Sequence, residues 1–146
     1  MSTYKDPSDV VTYMQTQHAA MSDVAKAPTT FKAKLPDNYL PFVWIWVRDA
    51  DVDMESGFSM WMPVYVIDVL VFPVAKSAKY DSGPKLANTL LRDITALWAE
   101  DRTIGGYVKT TTRITGDIDI IPWNGVDYYG CRIQITSRMP LPTEVT

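Results

Sequence analysis

The residues of this chain that look equipped for chemistry are four carboxylates. Asp49, Asp51, Asp53 and Glu55 alternate along DADVDMESG, and alternating carboxylates are how an EF-hand loop surrounds calcium with oxygen. That pattern also needs Gly at its sixth position and Glu at its twelfth. Met54 and Met60 stand there instead, and the flanking runs read as strands rather than helices. An acidic, solvated loop tip accounts for the four better than a metal site does.

His18 and Cys131 are the single histidine and single cysteine. One imidazole and one thiol make no soft-ligand set for zinc, and one Cys closes no disulfide within the chain. His18 falls on the apolar stripe of an N-terminal helical pattern, where a structural histidine is expected ahead of a catalytic base. No Ser lies in a G-x-S-x-G elbow, and no run matches a P-loop or a dinucleotide fingerprint. No catalytic residue, metal or cofactor is therefore assigned, and a non-enzymatic role is expected.

Fourteen basic against seventeen acidic residues give a formal net charge of -3. That balance is no footprint for wrapping nucleic acid or an anionic membrane. The basic residues are scattered, and Lys109 with Arg113 on one strand face marks a solvated or interfacial surface. MSTYKDPSDVV has no apolar core of a secretory signal. Residues 60–73 are too short to span a bilayer and carry Asp68 in their middle. A soluble protein folded in a reducing cytoplasm is expected.

With 146 residues and 47% apolar content, one domain over residues 1–146 is expected. Asp6 and Pro7 signal a helix start, and Val10, Met14, His18 and Met21 continue a loose stripe to about residue 21. Pro28, Pro36 and Pro41 keep the next segment from forming a long helix. FVWIWV (42–47) and residues 60–72 are strand-like and joined by the polar loop RDADVDMESGFS, a long hairpin with a projecting tip. Leu86, Leu90, Leu91, Ile94, Leu97 and Trp98 recur at helical spacing over 84–99. Then YVKTTTRIT (107–115), DIDII (117–121) and VDYYGCRIQIT follow as strands, the last two joined by the Asn124-Gly125 turn. The tail, residues 137–146, is expected to be an arm.

The expected fold is thus α+β: a mainly antiparallel sheet of about five strands with two principal helices, in the order α-β-β-α-β-β-β. Two helices are few to cover both faces of such a sheet. The apolar excess, drawn from Trp44, Trp46, Trp61, Tyr65 and Phe72, suggests burial against another copy or a partner, with Trp44, Trp46, Trp61, Lys109 and Arg113 as the candidate subunit interface. The alternative is a small cytoplasmic ligand-binding or enzymatic domain whose pocket would be lined from Trp44, Trp46, Trp61 and Tyr129.

The helix GPKLANTLLRDITALW, its acidic exit EDRTIGG, the strand YVKTTTRI and the hairpin across Asn124-Gly125 resemble the tail terminator, or tail completion, proteins of long-tailed bacteriophages. The likeness is clearest over residues 82–137. In that family a helix commonly ends in a short acidic turn, an aliphatic residue, two glycines and a valine-containing strand, matched here by Glu100, Asp101, Ile104, Gly105, Gly106 and Val108. Arg102 and Thr103 depart from the family's usual wording before the glycines.

The resemblance implies a structural virion protein that forms a hexameric ring at the head-tail interface. It would cap the tail tube, stop tube polymerisation and present a docking surface to the head connector or head-completion protein. Its partners would be further copies of itself, the major tail tube protein and that connector; genomic DNA would pass through without sequence-specific binding, and no membrane is involved. Assembly would occur in the host cytoplasm. Another neck or head-tail joining adaptor remains an alternative. Under this reading the tip bearing Asp49, Asp51, Asp53 and Glu55 lines the channel, where carboxylates repel phosphates, or reaches the neighbouring tube ring. Ile104, Gly105 and Gly106 form a structural junction, with glycines free to take positive φ and Ile104 tucked under the helix exit.

Overall fold

The computed structural model describes residues 6–53, 60–79 and 82–140. Helix α1 spans Pro7–Ala19, and the Asp6 side chain caps it by accepting from the Ser8 backbone N–H at 2.8 Å. Strand β1 spans Phe42–Asp53 and β2 Met60–Pro73; helix α2 spans Gly83–Glu100; β3 spans Thr110–Trp123 and β4 Val126–Pro140. The four strands form one antiparallel sheet in the order β1-β2-β4-β3. No helix among the described residues is long and apolar enough to cross a membrane.

The expected α+β class and two helices hold, but the strand count is four rather than about five. Residues 107–115 and 117–121, which read as two strands, contribute to one, which starts at Thr110 after a turn over residues 107–109. The apparent break at Gly116 is a place of close approach: a Cβ there would lie 2.7 Å from the Leu91 side chain of α2. Pairing with β4 runs through it, Gly116 opposite Ile133 and Asp117 opposite Arg132. Asn124 and Gly125, at φ 50° and 78°, make the expected two-residue turn into β4.

β1 is also longer than its apolar run. It continues through Asp49, Asp51 and Asp53, with Ala50 opposite Pro63 and Asp53 opposite Met60, after a bulge between Arg48 and Ala50. Three of the four acidic residues assigned to a loop tip are therefore strand residues, because pairing with β2 extends past the last hydrophobic position. Glu55 lies outside the described residues. At the other terminus, residues 137–140 of the expected arm form the end of β4, and residues 141–146 lie outside the described residues.

Both helices pack on one face of the sheet. Val10 and Met14 of α1 and Ala87, Leu90, Ile94 and Trp98 of α2 share a core with Val43, Ile45, Tyr65, Ile67, Val69, Cys131, Ile133 and Ile135. Tyr65 and Phe72, candidates for an exposed excess, are buried within the chain. Burial pushes the Cys131 thiol up to about 12, so it stays protonated and packs as a small apolar group.

One hydrogen-bonded chain crosses this core. Trp98 Nε1–H donates to His18 Nε2 at 2.9 Å. The neutral ring must then carry its proton on Nδ1, which donates to Gln15 Oε1 at 3.1 Å. Gln15 Nε2 donates in turn to the carbonyls of Pro28 and Val43, at 2.9 and 2.8 Å. α2, α1, the following loop and β1 are thereby tied together, and His18 is structural.

Burial lowers the His18 pKa to about 3. A second proton would have to sit on Nε2, facing an N–H donor. Because the folded pKa is depressed, the stabilisation is complete above the unfolded value near 6.5 and is lost as pH falls from there towards 3. In urea titrations the stability advantage of the wild type over His18→Gln should shrink by about 2–3 kcal/mol between pH 7 and pH 4.5. A pH-independent difference would show that His18 is not held neutral.

Candidate functional site

The sheet face opposite the helices is the candidate site, since it carries aromatic and charged side chains together. Residues paired across antiparallel strands share a face, so the register assembles it in rows. One row is Trp44, Asp68, Arg132 and Asp117; the next is Trp46, Val66, Gln134 and Thr115; a third is Arg48, Val64, Thr136 and Arg113.

The sheet is curled towards this face at one end. The Trp123 ring of edge strand β3 lies 5.4 Å from Phe42 and 6.0 Å from Trp46, both on the opposite edge strand. Phe42, Leu70, Ile121, Trp123 and Tyr128 form a second buried cluster, closed by Leu35 and Leu40 of the connection between α1 and β1. Trp123 Nε1–H donates to the Lys32 carbonyl at 2.9 Å, anchoring that connection. Phe31 stacks on Trp123 at 5.4 Å and meets Trp44 and Trp46 at 5.6 and 5.9 Å. Phe31 is 51% exposed and Trp46 43%, so the cluster ends in an open aromatic edge.

Asp68 is the polar centre beside it. Its carboxylate is buried and accepts from Arg132 Nε at 2.7 Å, from Arg132 Nη2 at 3.3 Å and from Trp46 Nε1 at 3.0 Å. The hydrogen bond to Asp68 raises the Arg132 pKa further above its ordinary value. Thr115, Gly116, Asp117, Arg132 and Gln134 line an open polar depression of ≈ 270 Å³. On the helix side, Leu91, Arg92, Thr95 and Ala96 of α2 border a shallow, mainly apolar groove of ≈ 420 Å³ against Gly116. No group of three or more His, Cys, Asp or Glu among the described residues is placed to hold a metal ion.

The sequence-derived candidates do not form a single surface. Trp44 and Trp46 are neighbours on the open face, 5.9 Å apart. Arg113 lies on the same face but on the far edge strand, and Lys109 precedes that strand; both are exposed. Trp61 pairs with the buried Met139 and packs on the core under the helices, so it belongs to the other face. Tyr129 also lies there, stacked on Phe72 at 5.1 Å. The pocket imagined from Trp44, Trp46, Trp61 and Tyr129 is therefore not formed: two of its walls are on each side of the sheet. Sequence reading missed Phe31, Asp68 and Arg132. The signal for Asp68 was a charge inside an otherwise apolar strand, which needs a partner to be buried.

The helix exit is a packed junction. Ile104, Gly105 and Gly106 take φ of 47°, 64° and 86° in succession. Such a value is uncommon for a β-branched residue, and Ile104 holds it while fully buried in the core. Gly105 N–H donates to both Asp101 carboxylate oxygens at 3.0 Å, and Tyr13 O–H donates to Asp101 Oδ2 at 3.0 Å. The junction is thus bound to α1 as well as to α2.

No protein-family model matches the chain, and no curated protein sequence matches it.

A Cβ on Gly105 would lie 2.4 Å from the Tyr13 ring, whereas one on Gly106 meets nothing within 4 Å. Gly105→Ala should therefore cost about 2 kcal/mol or more and Gly106→Ala about 1 kcal/mol in urea unfolding; equal losses would contradict the Tyr13 contact. Asp68→Ala strands Arg132 and the Trp46 N–H. Because Arg132 is partly solvated, the expected loss is about 2 kcal/mol, accompanied by a shift in tryptophan emission; unchanged stability would contradict the buried pair.

Proposed function

We propose that the chain is a tail terminator subunit of a long-tailed bacteriophage, acting by recognition and capping with no chemical step. Copies form a ring on the last ring of the tail tube, halt its growth and offer a face to the head connector. The virion, at the head-tail interface, is its place of action.

The observation that carries the reading is the one-sided covering of the sheet. Both helices occupy one face, while the other presents Phe31 and Trp46 beside polar and charged rows. An exposed aromatic edge next to polar and charged groups is the composition of a protein contact surface. The acidic helix exit and double glycine of residues 100–108, which carry the family resemblance, supply the second support. In this fold they are the packed junction between α2 and β3.

Particles assembled without this chain and viewed in negative stain test the reading. Overlong tails or tails without heads are expected. Tails of normal length joined to heads would overturn it, and normal-length tails without heads would assign the chain to another neck adaptor.

A further inference from the structure

β1 and β3 are the two edges of the sheet, and the connection between α1 and β1 closes them at only one end. Val43 N–H donates to the Lys26 carbonyl at 2.9 Å, covering the start of β1. The Trp123 ring at the end of β3 is held by Lys32. Past these points, no element among the described residues pairs with the outer edge of β1 over residues 46–53 or of β3 over residues 110–117. Unpaired edges are templates for further strands, and each of these carries a single bulge, between Arg48 and Ala50 in β1 and between Thr111 and Arg113 in β3.

Net charge differs between these free edges: residues 46–53 hold Asp49, Asp51 and Asp53 with Arg48, and residues 109–117 hold Lys109 and Arg113 with Asp117. The register places the second half of β1, with Asp49, Asp51 and Asp53, at the same end of the sheet as the start of β3, with Lys109 and Arg113. Two β1 edges brought together would juxtapose two net-acidic segments, and two β3 edges two net-basic ones. Only the unlike combination joins segments of opposite net charge. Strand direction agrees with it. Four mutually antiparallel strands leave β1 and β3 running in opposite senses, so β3 of one copy meets β1 of a copy related by rotation about a ring axis in antiparallel fashion.

We propose that these free segments are the two halves of one interface, in which residues 46–53 of β1 in one copy pair with residues 110–117 of β3 in a second copy of this chain. The contact is head-to-tail, with Asp49, Asp51 and Asp53 set against Lys109 and Arg113. This deepens the ring reading and rests on it. It also gives the acidic residues a role between subunits rather than in the channel.

Charge reversal tests it by native mass spectrometry and sedimentation, with circular dichroism as the check on folding. Lys109→Asp/Arg113→Asp makes both edges acidic, and Asp49→Lys/Asp51→Lys/Asp53→Lys makes both basic. Each alone should associate roughly 10-fold or more weakly than the wild type. A 1:1 mixture of the two, and the variant carrying all five changes, should regain association. Variants that assemble like the wild type, a mixture and combined variant as weak as the single reversals, or a wild type monomeric throughout would each overturn the interface. Rings that survive reversal remove this interface and leave the terminator reading standing. Normal joined tails made without the chain remove that reading whatever the edges do.

Discussion

The hydrogen-bonded chain from Trp98 through His18 and Gln15 to the carbonyls of Pro28 and Val43 puts both helices on the same side of the sheet. Each of its members is buried within the core or its immediate border, where an unmet donor or acceptor carries the full desolvation penalty. The network is satisfied only when α1 lies beside α2 and close to β1. A helix moved to the other face would leave the Trp98 N–H, the imidazole and an amide all unpaired. The bare second face is a consequence of this arrangement, and so is the need for the irregular connection of residues 20–41 to cover part of it.

That connection divides the open face into two regions with different physics. Where Leu35, Leu40 and the Phe31 ring meet Phe42 and Trp123, the sheet curls and its edges are closed. Where it does not reach, the rows become charged and polar, and Asp68 is held between Arg132 and Trp46. The buried carboxylate occupies the boundary. Its three hydrogen bonds leave little capacity for an external ligand, which makes Asp68 an organiser of Trp46 and Arg132 rather than a reactive group.

The helices were legible because their apolar spacing and the Asp6–Pro7 start are local signals, and α1 and α2 end within two residues of where the pattern stops. The Asn124-Gly125 hairpin was legible for the same reason. Face assignments were not. Trp44, Trp46 and Trp61 look equivalent in sequence, but which side each takes depends on the β1–β2 register, and a shift of one residue moves a strand's whole side-chain set across the sheet. The role of Phe31 was hidden because a lone aromatic in a Pro- and Lys-containing stretch has no period to read. The acidic residues misled differently. Hydrophobicity ends at Val47, whereas pairing with β2 continues to Asp53.

The strand count is where a local misreading has the largest consequence. Gly116 followed by Asp117 has the composition of a turn, and treating it as one yields five strands. In a five-stranded antiparallel meander the two edges run in the same direction, so copies repeated by rotation about a ring axis would meet in parallel. With β3 continuous the count is even and the edges run oppositely, so the same repetition would bring them together antiparallel, the more stable pairing per residue. The ladder to β4 runs through Gly116, and the glycine's missing side chain leaves room for Leu91 of α2, which a Cβ there would approach to 2.7 Å.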